Sequence, residues 1–221
     1  MTRTELDLKL KGLMDDLLLM GSMVEKAVEK SVDALKRRDL ELSQKVIADD
    51  TIVDRKRMEI EEKCIQVIAT QEPVARDLRF IVAVLNIIVD LERMADHAEG
   101  IAKISVMMGD QPPLKPLIDI PRMAQKANEM LRKSLNALVA RDVDAAAKVC
   151  ADDDEVDALY DQVYRELLTF MIKDPRTIDP ATHLLWVAHN LERVADRATN
   201  IAERVVFMVT GKMVGCGTSR Y

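Results

Sequence analysis

Two pairs of acidic residues, each with a four-residue spacing, recur in this chain and could bind a metal ion. Glu92 and Asp96 stand in the segment LERMADHAEGIAK, and Glu192 and Asp196 stand in LERVADRATNIAE one hundred positions later. Residues four apart lie on one face of a helix, so each pair presents two carboxylates side by side. Like charges at this spacing destabilise a helix by about 0.2–0.5 kcal/mol, and a cation between them would remove that repulsion.

The same acids could instead form ion pairs on a solvated helix face. Arg93 and Arg193 each precede an aspartate by three positions, a spacing at which helical side chains meet. The helical period also places Glu92 about 100° from the apolar stripe of its helix, so the acids of both copies are expected at the edge of the core or on the surface. That stripe consists of Val84, Ile88, Leu91, Ala95, Ala98 and Ala102.

A second set of acidic pairs lies upstream in each copy. Its members are Asp50, Asp54, Asp153 and Asp157. In a hairpin of two antiparallel helices, two residues at the same height have sequence numbers whose sum is the same for every such pair. The upstream and downstream acids of each copy satisfy this constant-sum rule. Four carboxylates at matching heights would repel one another strongly without a cation between them. We therefore interpret each cluster as a candidate site for multivalent metal ions: iron, zinc, manganese or magnesium.

Few other residues suggest chemistry. His189 lies three positions before Glu192 and shares the carboxylate face, so it is either an extra ligand or a histidine at the edge of the core. The Glu-x-x-His pattern of ferritin-like di-iron proteins is missing, as are nucleophile–histidine patterns and phosphate-binding glycine loops. We predict that the protein is not an enzyme. A carboxylate-bridged metalloenzyme or a metal-storage helical protein remains the alternative.

The acidic clusters belong to an internal duplication. Residues 30–54 and 133–157 share thirteen identities over twenty-five positions at an offset of 103. A proline-rich segment at 109–121 separates the copies, and helical patterns fill both. The predicted fold class is all-α, with two tandem pseudo-symmetric three-helix bundles of up-down helices. The predicted helices are 4–37, 40–71, 75–108, 121–140, 143–172 and 181–211.

Helix ends and domain limits follow from caps and prolines. Asp39 and Asp142 are predicted N-caps, and Pro121 is predicted at a first helical position. Asp179, followed by Pro180, is the predicted cap of the last helix. The segment IVAVLNIIV (81–89) has the composition of a buried strand, but the absence of glycine or proline around it favours a helix. The predicted division is 1–110 for the first repeat, 111–120 for the linker, 121–212 for the second repeat and 213–221 for the tail.

Composition excludes several classes of protein. A net charge of −6 argues against a nucleic-acid-binding protein. Cys64, Cys150 and Cys216 show no CxxC spacing and are expected to be reduced thiols. No apolar run is long enough to span a membrane, and the N-terminal segment lacks the positive start of a signal peptide. The expected location is the cytoplasm.

The duplicated LER(M/V)AD motif, its NIAE continuation at 200–203 and the paired ADD…VD segments resemble the PhoU family of bacterial phosphate-uptake regulators. The resemblance covers nearly the whole chain. It implies two three-helix bundles, a cytoplasmic homodimer, and a negative regulator of phosphate uptake and of the phosphate-starvation response. The implied role is that of an adaptor between a phosphate ABC transporter and a sensor histidine kinase.

The resemblance also implies metal ligands, because the family's metal clusters are attributed to acid-x-x-x-Asp motifs. The matching positions are Asp50, Asp54, Glu92, Asp96, Asp153, Asp157, Glu192 and Asp196, and less surely Glu99 and Glu203. Glu203 is replaced by Lys103 in the first copy, and Thr199 is replaced by Glu99. The two sites are therefore expected to differ in affinity or in metal.

Overall fold

Six long α-helices account for most of residues 3–216, the part of the chain that the computed structural model describes. In chain order they are α1 (Arg3–Arg37), α2 (Leu40–Gln71), α3 (Ala75–Met108), α4 (Asp119–Ala140), α5 (Val143–Lys173) and α6 (Ile178–Thr210). A short 3-10 helix, Pro175–Thr177, precedes α6. The helical prediction for 81–89 is confirmed, since the segment lies inside α3.

The helices pack as two groups of three. Helices α1, α2 and α3 contact one another, and so do α4, α5 and α6. The groups meet along α3 and α6, with a further contact between α1 and α4. The strand-like apolar run of α3 is thereby explained, because neighbours on several sides bury it. Every residue of the predicted stripe is buried, and the all-α fold of two three-helix bundles is confirmed.

The predicted caps are only partly correct. Asp39 Oδ1 accepts from Leu42 N at 2.9 Å, and Asp142 Oδ1 accepts from Ala145 N at 2.9 Å. Two helix starts were predicted too late, because α4 begins at Asp119 and α6 begins at Ile178. Each helix therefore carries its proline as the third residue, where a missing N–H breaks no intrahelical hydrogen bond.

Polar side chains fix the contact between the bundles. Asp90 on α3 accepts from Asn200 Nδ2 at 3.1 Å and from Arg197 Nη1 at 3.5 Å. His97 Nδ1 lies 3.0 Å from Asn190 Oδ1 on α6. Asp90 and Asn190 are equivalent positions of the two repeats, as are His97 and Arg197, so the contact is pseudo-symmetric. These groups lie beside the acidic pairs and set the position of α3 relative to α6.

The linker between the repeats is anchored by a lysine. Lys115 is buried, forms an ion pair with Glu166 of α5, and lies 3.9 Å from Asp119 at the start of α4. A buried ammonium needs such partners, because an uncompensated charge in the interior is strongly destabilising. The proline-rich segment is therefore fastened to the second bundle.

The prediction of reduced thiols is wrong for two of the three cysteines. Cys150 on α5 and Cys216 form a disulfide across a sequence separation of 66 residues, while Cys64, buried in α2, is free among the described residues. After α6 the chain turns back along that helix, and Cys216 N donates to Glu203 Oε1 at 2.7 Å. The spacing of the cysteines in the sequence does not predict that the chain reverses after α6. Residues 217–221 of the predicted tail lie outside the described residues.

Candidate metal centre

The first acidic cluster forms where α2 and α3 run antiparallel. Burial and, after it, the negative charges of Asp54, Glu99 and Asp96 together raise the pKa of Asp50 to about 6. Burial also raises the pKa of Glu92, with added repulsion from Asp96 and Asp54. These mutual effects confirm the predicted register, because they join the carboxylates that the constant-sum rule paired.

The second cluster repeats the arrangement on α5 and α6. Burial and, after it, the negative charges of Asp157 and Asp196 raise the pKa of Asp153 to about 7. Burial and the negative charges of Asp196, Asp157 and Asp153 raise the pKa of Glu192 to about 7 as well, against the opposing charge of Arg193. Four carboxylates therefore share one region in each copy, and the ionised forms of Asp50 and Glu92 in the first and of Asp153 and Glu192 in the second are disfavoured.

Glu192 lies deeper than the helical period predicts. The residue is 1% exposed, whereas the Glu92 side chain is 20% exposed. The helical period gives the direction of a side chain about its own helix, but not how closely a neighbouring helix approaches. Here α5 packs against α6, and its Tyr160 is near enough to Glu192 for the two groups to interact electrostatically. The prediction of an edge position was therefore wrong for Glu192.

The Glu192 carboxylate has no hydrogen-bond partner among the described residues, although both oxygens are buried. Arg193 Nε lies 3.4 Å from Oε2, and His189 Nδ1 lies 3.6 Å from the same oxygen. A buried carboxylate that accepts no hydrogen bond is destabilising unless a cation compensates its charge. Together with the neighbouring aspartates, this side chain is a candidate metal ligand.

The predicted ion pairs are also present. Arg93 Nη1 donates to Asp96 Oδ2 at 3.1 Å, and Arg193 Nη1 donates to Asp196 Oδ2 at 3.0 Å. Within residues 3–216, no three His, Cys, Asp or Glu side chains are arranged to hold an ion as they stand. A metal ion would have to compete with these arginines for the aspartates and draw the carboxylates together.

The two less certain ligands behave differently. Glu99 pairs with Lys103 at 2.6 Å and still acts on the pKa of Asp50, so it belongs to the first cluster. Glu203 accepts from the backbone of Cys216 and is held by the returning tail. The structure therefore brings Glu99 to its cluster and engages Glu203 elsewhere.

Sequence reasoning missed two residues beside the clusters. The Tyr160 ring on α5 lies 6.2 Å from the His189 ring, and its repeat equivalent, Arg57, acts on Glu92 and lowers the pKa of that carboxyl. The constant-sum rule would have found Tyr160, because its number and that of His189 add to the same value as the acids of the second copy.

The raised pKa values give the metal-free protein a defined pH dependence. The pKa values of Asp50, Asp153 and Glu192 are about 6, 7 and 7, against ordinary values of 3.8, 3.8 and 4.5. The folded state thus binds more protons, so these groups stabilise the fold most near pH 4 and lose that contribution as the pH rises towards 7. His97 and His189 have lowered pKa values and act in the opposite direction.

Thermal unfolding in chelator between pH 4.5 and 7.5 checks this expectation. Compared with a triple variant that carries Asn, Asn and Gln at the three acidic positions, the wild type should lose stability as the pH rises. His97 is unchanged in both proteins, but the pKa of His189, 3.6 Å from Glu192 Oε2, depends on the charge that the variant removes, so the comparison is made with His189→Ala in both proteins. A wild type that gains stability relative to the variant would contradict the pKa directions.

The architecture and the clusters together define a class: an all-α protein built from two copies of one three-helix unit, each with four acids at matching heights. The chain belongs to the PhoU family, because the PhoU domain model matches residues 17–105 and again 120–205. No helix within residues 3–216 is both long and apolar enough to cross a membrane.

Curated relatives match over nearly the whole chain. A protein from Clostridium acetobutylicum, named phosphate-specific transport system accessory protein PhoU homolog, is 40% identical over 97% of this chain and 98% of its own length. A protein of the same name from Rhizobium meliloti is 42% identical over 93% of this chain and 87% of its own length.

Solved structures show the same fold. PhoU from Pseudomonas aeruginosa matches with a TM-score of 0.88 and 32% identity, over 93% of this chain and 99% of that one. The phosphate transport system regulatory protein PhoU from Streptococcus pneumoniae matches with a TM-score of 0.88 and 30% identity, over 95% and 99%. The chain is thus a member of a family of regulatory and accessory proteins of phosphate transport and not an enzyme, and the metalloenzyme alternative is set aside.

Proposed function

We propose that this protein is a negative regulator of phosphate uptake and of the phosphate-starvation response. The observation that carries the proposal is the 40% identity over 215 residues to a phosphate-specific transport system accessory protein, at nearly full length of both chains. The duplicated bundle without a nucleotide-binding motif is in keeping with a protein that acts through contacts rather than through catalysis.

The proposed mode of action is that of an adaptor. The protein would work in the cytoplasm, as a homodimer, between a phosphate ABC transporter and a sensor histidine kinase. Two repeats held together by α3 and α6 offer two related surfaces, and an adaptor needs more than one. We also propose the division into repeats at 1–110 and 121–212, with a linker at 111–120 and a tail at 213–221.

Each repeat is further proposed to hold multivalent metal ions: iron, zinc, manganese or magnesium. The ligands would be Asp50, Asp54, Glu92 and Asp96 in the first copy, with Glu99, and Asp153, Asp157, Glu192 and Asp196 in the second, with Glu203 less surely. The support is the buried, unpartnered Glu192 carboxylate and the mutual repulsion within each cluster. A bound ion would neutralise this charge and link the two helices that carry it.

Deletion of the gene tests the regulatory role. Without the protein, phosphate-starvation genes should be expressed in phosphate-rich medium and phosphate uptake should be excessive. Reintroducing the wild type should restore repression. Reintroducing a double variant, Asp96→Asn with Asp196→Asn, would show whether repression needs the acidic clusters. Normal repression in the deletion strain would remove the regulatory proposal.

A further inference from the structure

The two copies differ in the groups that lie beside their acidic clusters. In the second copy His189 precedes Glu192 by one helical turn, and Tyr160 faces that histidine from α5. The equivalent positions of the first copy carry Val89 and Arg57. One cluster therefore has an imidazole at hand, whereas the other has an aliphatic side chain at the same place and a fixed positive charge nearby.

The His189 imidazole lies at a distance from Glu192 that would allow both side chains to bind one ion. His189 Nδ1 lies 3.6 Å from Glu192 Oε2, beyond hydrogen-bonding distance. Two ligand atoms at the usual zinc distances, about 2.1 Å from the ion in tetrahedral geometry, are about 3.4 Å apart. The observed separation is close to that value. The Tyr160 ring, 6.2 Å from the imidazole and tilted by 52°, limits the orientations that the ring adopts.

The Glu192 carboxylate supplies an independent indication of a ligand. Its side chain is 2% exposed, and neither oxygen has a hydrogen-bond partner among the described residues. Buried polar atoms are nearly always satisfied by protein, water or an ion. The exposed imidazole beside it is one of the side chains that bind zinc most often, whereas magnesium and manganese prefer carboxylate oxygens.

We propose that His189 adds a nitrogen ligand to the second cluster, so that this cluster selects zinc or a similar transition ion. The first cluster, with Val89 at the equivalent position, offers oxygen ligands alone and selects hard cations such as manganese or magnesium. Arg57 weakens that first site, because its charge opposes a cation beside Glu92. This inference rests on the proposed metal binding and specifies it for each copy.

Zinc and manganese titrations of the purified full chain test the selection. His189→Ala should weaken zinc binding at one site by at least about tenfold and leave manganese binding unchanged. His183→Ala is the matched control, because His183 lies on the same helix and packs against Trp186 outside the cluster. It should bind both ions like the wild type. On addition of zinc, the ¹⁵N resonances of the His189 imidazole should shift, which a purely structural role would not produce.

A gain-of-function variant tests the same metal selectivity without relying on a loss of binding. In a background with the second site disabled by Asp196→Asn, Val89→His should strengthen zinc binding at the first site relative to manganese. If the wild type binds zinc and His189→Ala binds it equally well, the inference is wrong while the proposed metal binding stands. If the wild type binds neither ion, both are wrong.

Discussion

Glu192→Gln is expected to make the metal-free protein more stable at pH 7.5 and to remove stabilisation by metal in the second copy. The buried carboxylate accepts no hydrogen bond among the described residues and has a pKa of about 7 instead of 4.5. Each pKa unit corresponds to about 1.4 kcal/mol, so we expect the free energy of unfolding in chelator to rise by about 1–3 kcal/mol. Denaturant unfolding measures this change.

Glu92→Gln is the matched control, because it changes the equivalent residue of the first repeat. That side chain is 20% exposed and has Arg57 nearby, so its ionised form is tolerated better and the gain should be smaller. With metal present, the wild type should be more stable than Glu192→Gln, since the wild type is stabilised by an ion that Glu192→Gln cannot hold. A Glu192→Gln protein that is less stable than the wild type in chelator would contradict the account of a buried carboxylate that accepts no hydrogen bond.

Reduction of the Cys150–Cys216 disulfide is expected to lower the free energy of unfolding by up to about 4 kcal/mol, the chain-entropy value for a closed loop of this size. The bond joins residues that are 66 positions apart and fastens the returning tail to α5. Denaturant unfolding with and without reductant measures the effect, and mass spectrometry of the intact chain reports whether the bond is present.

The control for the disulfide uses the cysteines themselves. Cys150→Ala should unfold like the reduced wild type and should not respond to reductant. Cys64→Ala, which removes the free thiol of α2, should keep the full response. Equal stability of the oxidised and reduced wild type would show that the link does not constrain the unfolded chain.

The fold followed from the sequence because local and repeated signals agreed. The caps at Asp39 and Asp142, the apolar stripe of α3 and the thirteen identities between 30–54 and 133–157 all specify the same three-helix unit. The register of the acidic pairs followed from helix geometry alone, because the number of residues between two antiparallel helices fixes which heights match.

The depth of the site and the contacts between the two repeats could not be predicted from the sequence. Burial of Glu192 depends on how closely α5 approaches α6, which the period of one helix does not contain. The bridge from Asp90 to Asn200 joins residues of different repeats, and each looks like an ordinary polar position in its own helix. Cys216 meets Cys150 only because the chain reverses after α6.

The most direct test of the central claim, that each repeat holds metal through its facing acids, is elemental analysis of variants after metal loading and dialysis. Asp96→Asn should lose the metal of the first cluster, Asp196→Asn that of the second, and the double variant both, with the helical circular dichroism signal unchanged. Asp110→Asn, in the exposed turn that follows α3, should keep the wild-type content. Metal content that is the same in all four variants would contradict the account, and the repeated acids would then be a salt-bridged surface copied by duplication.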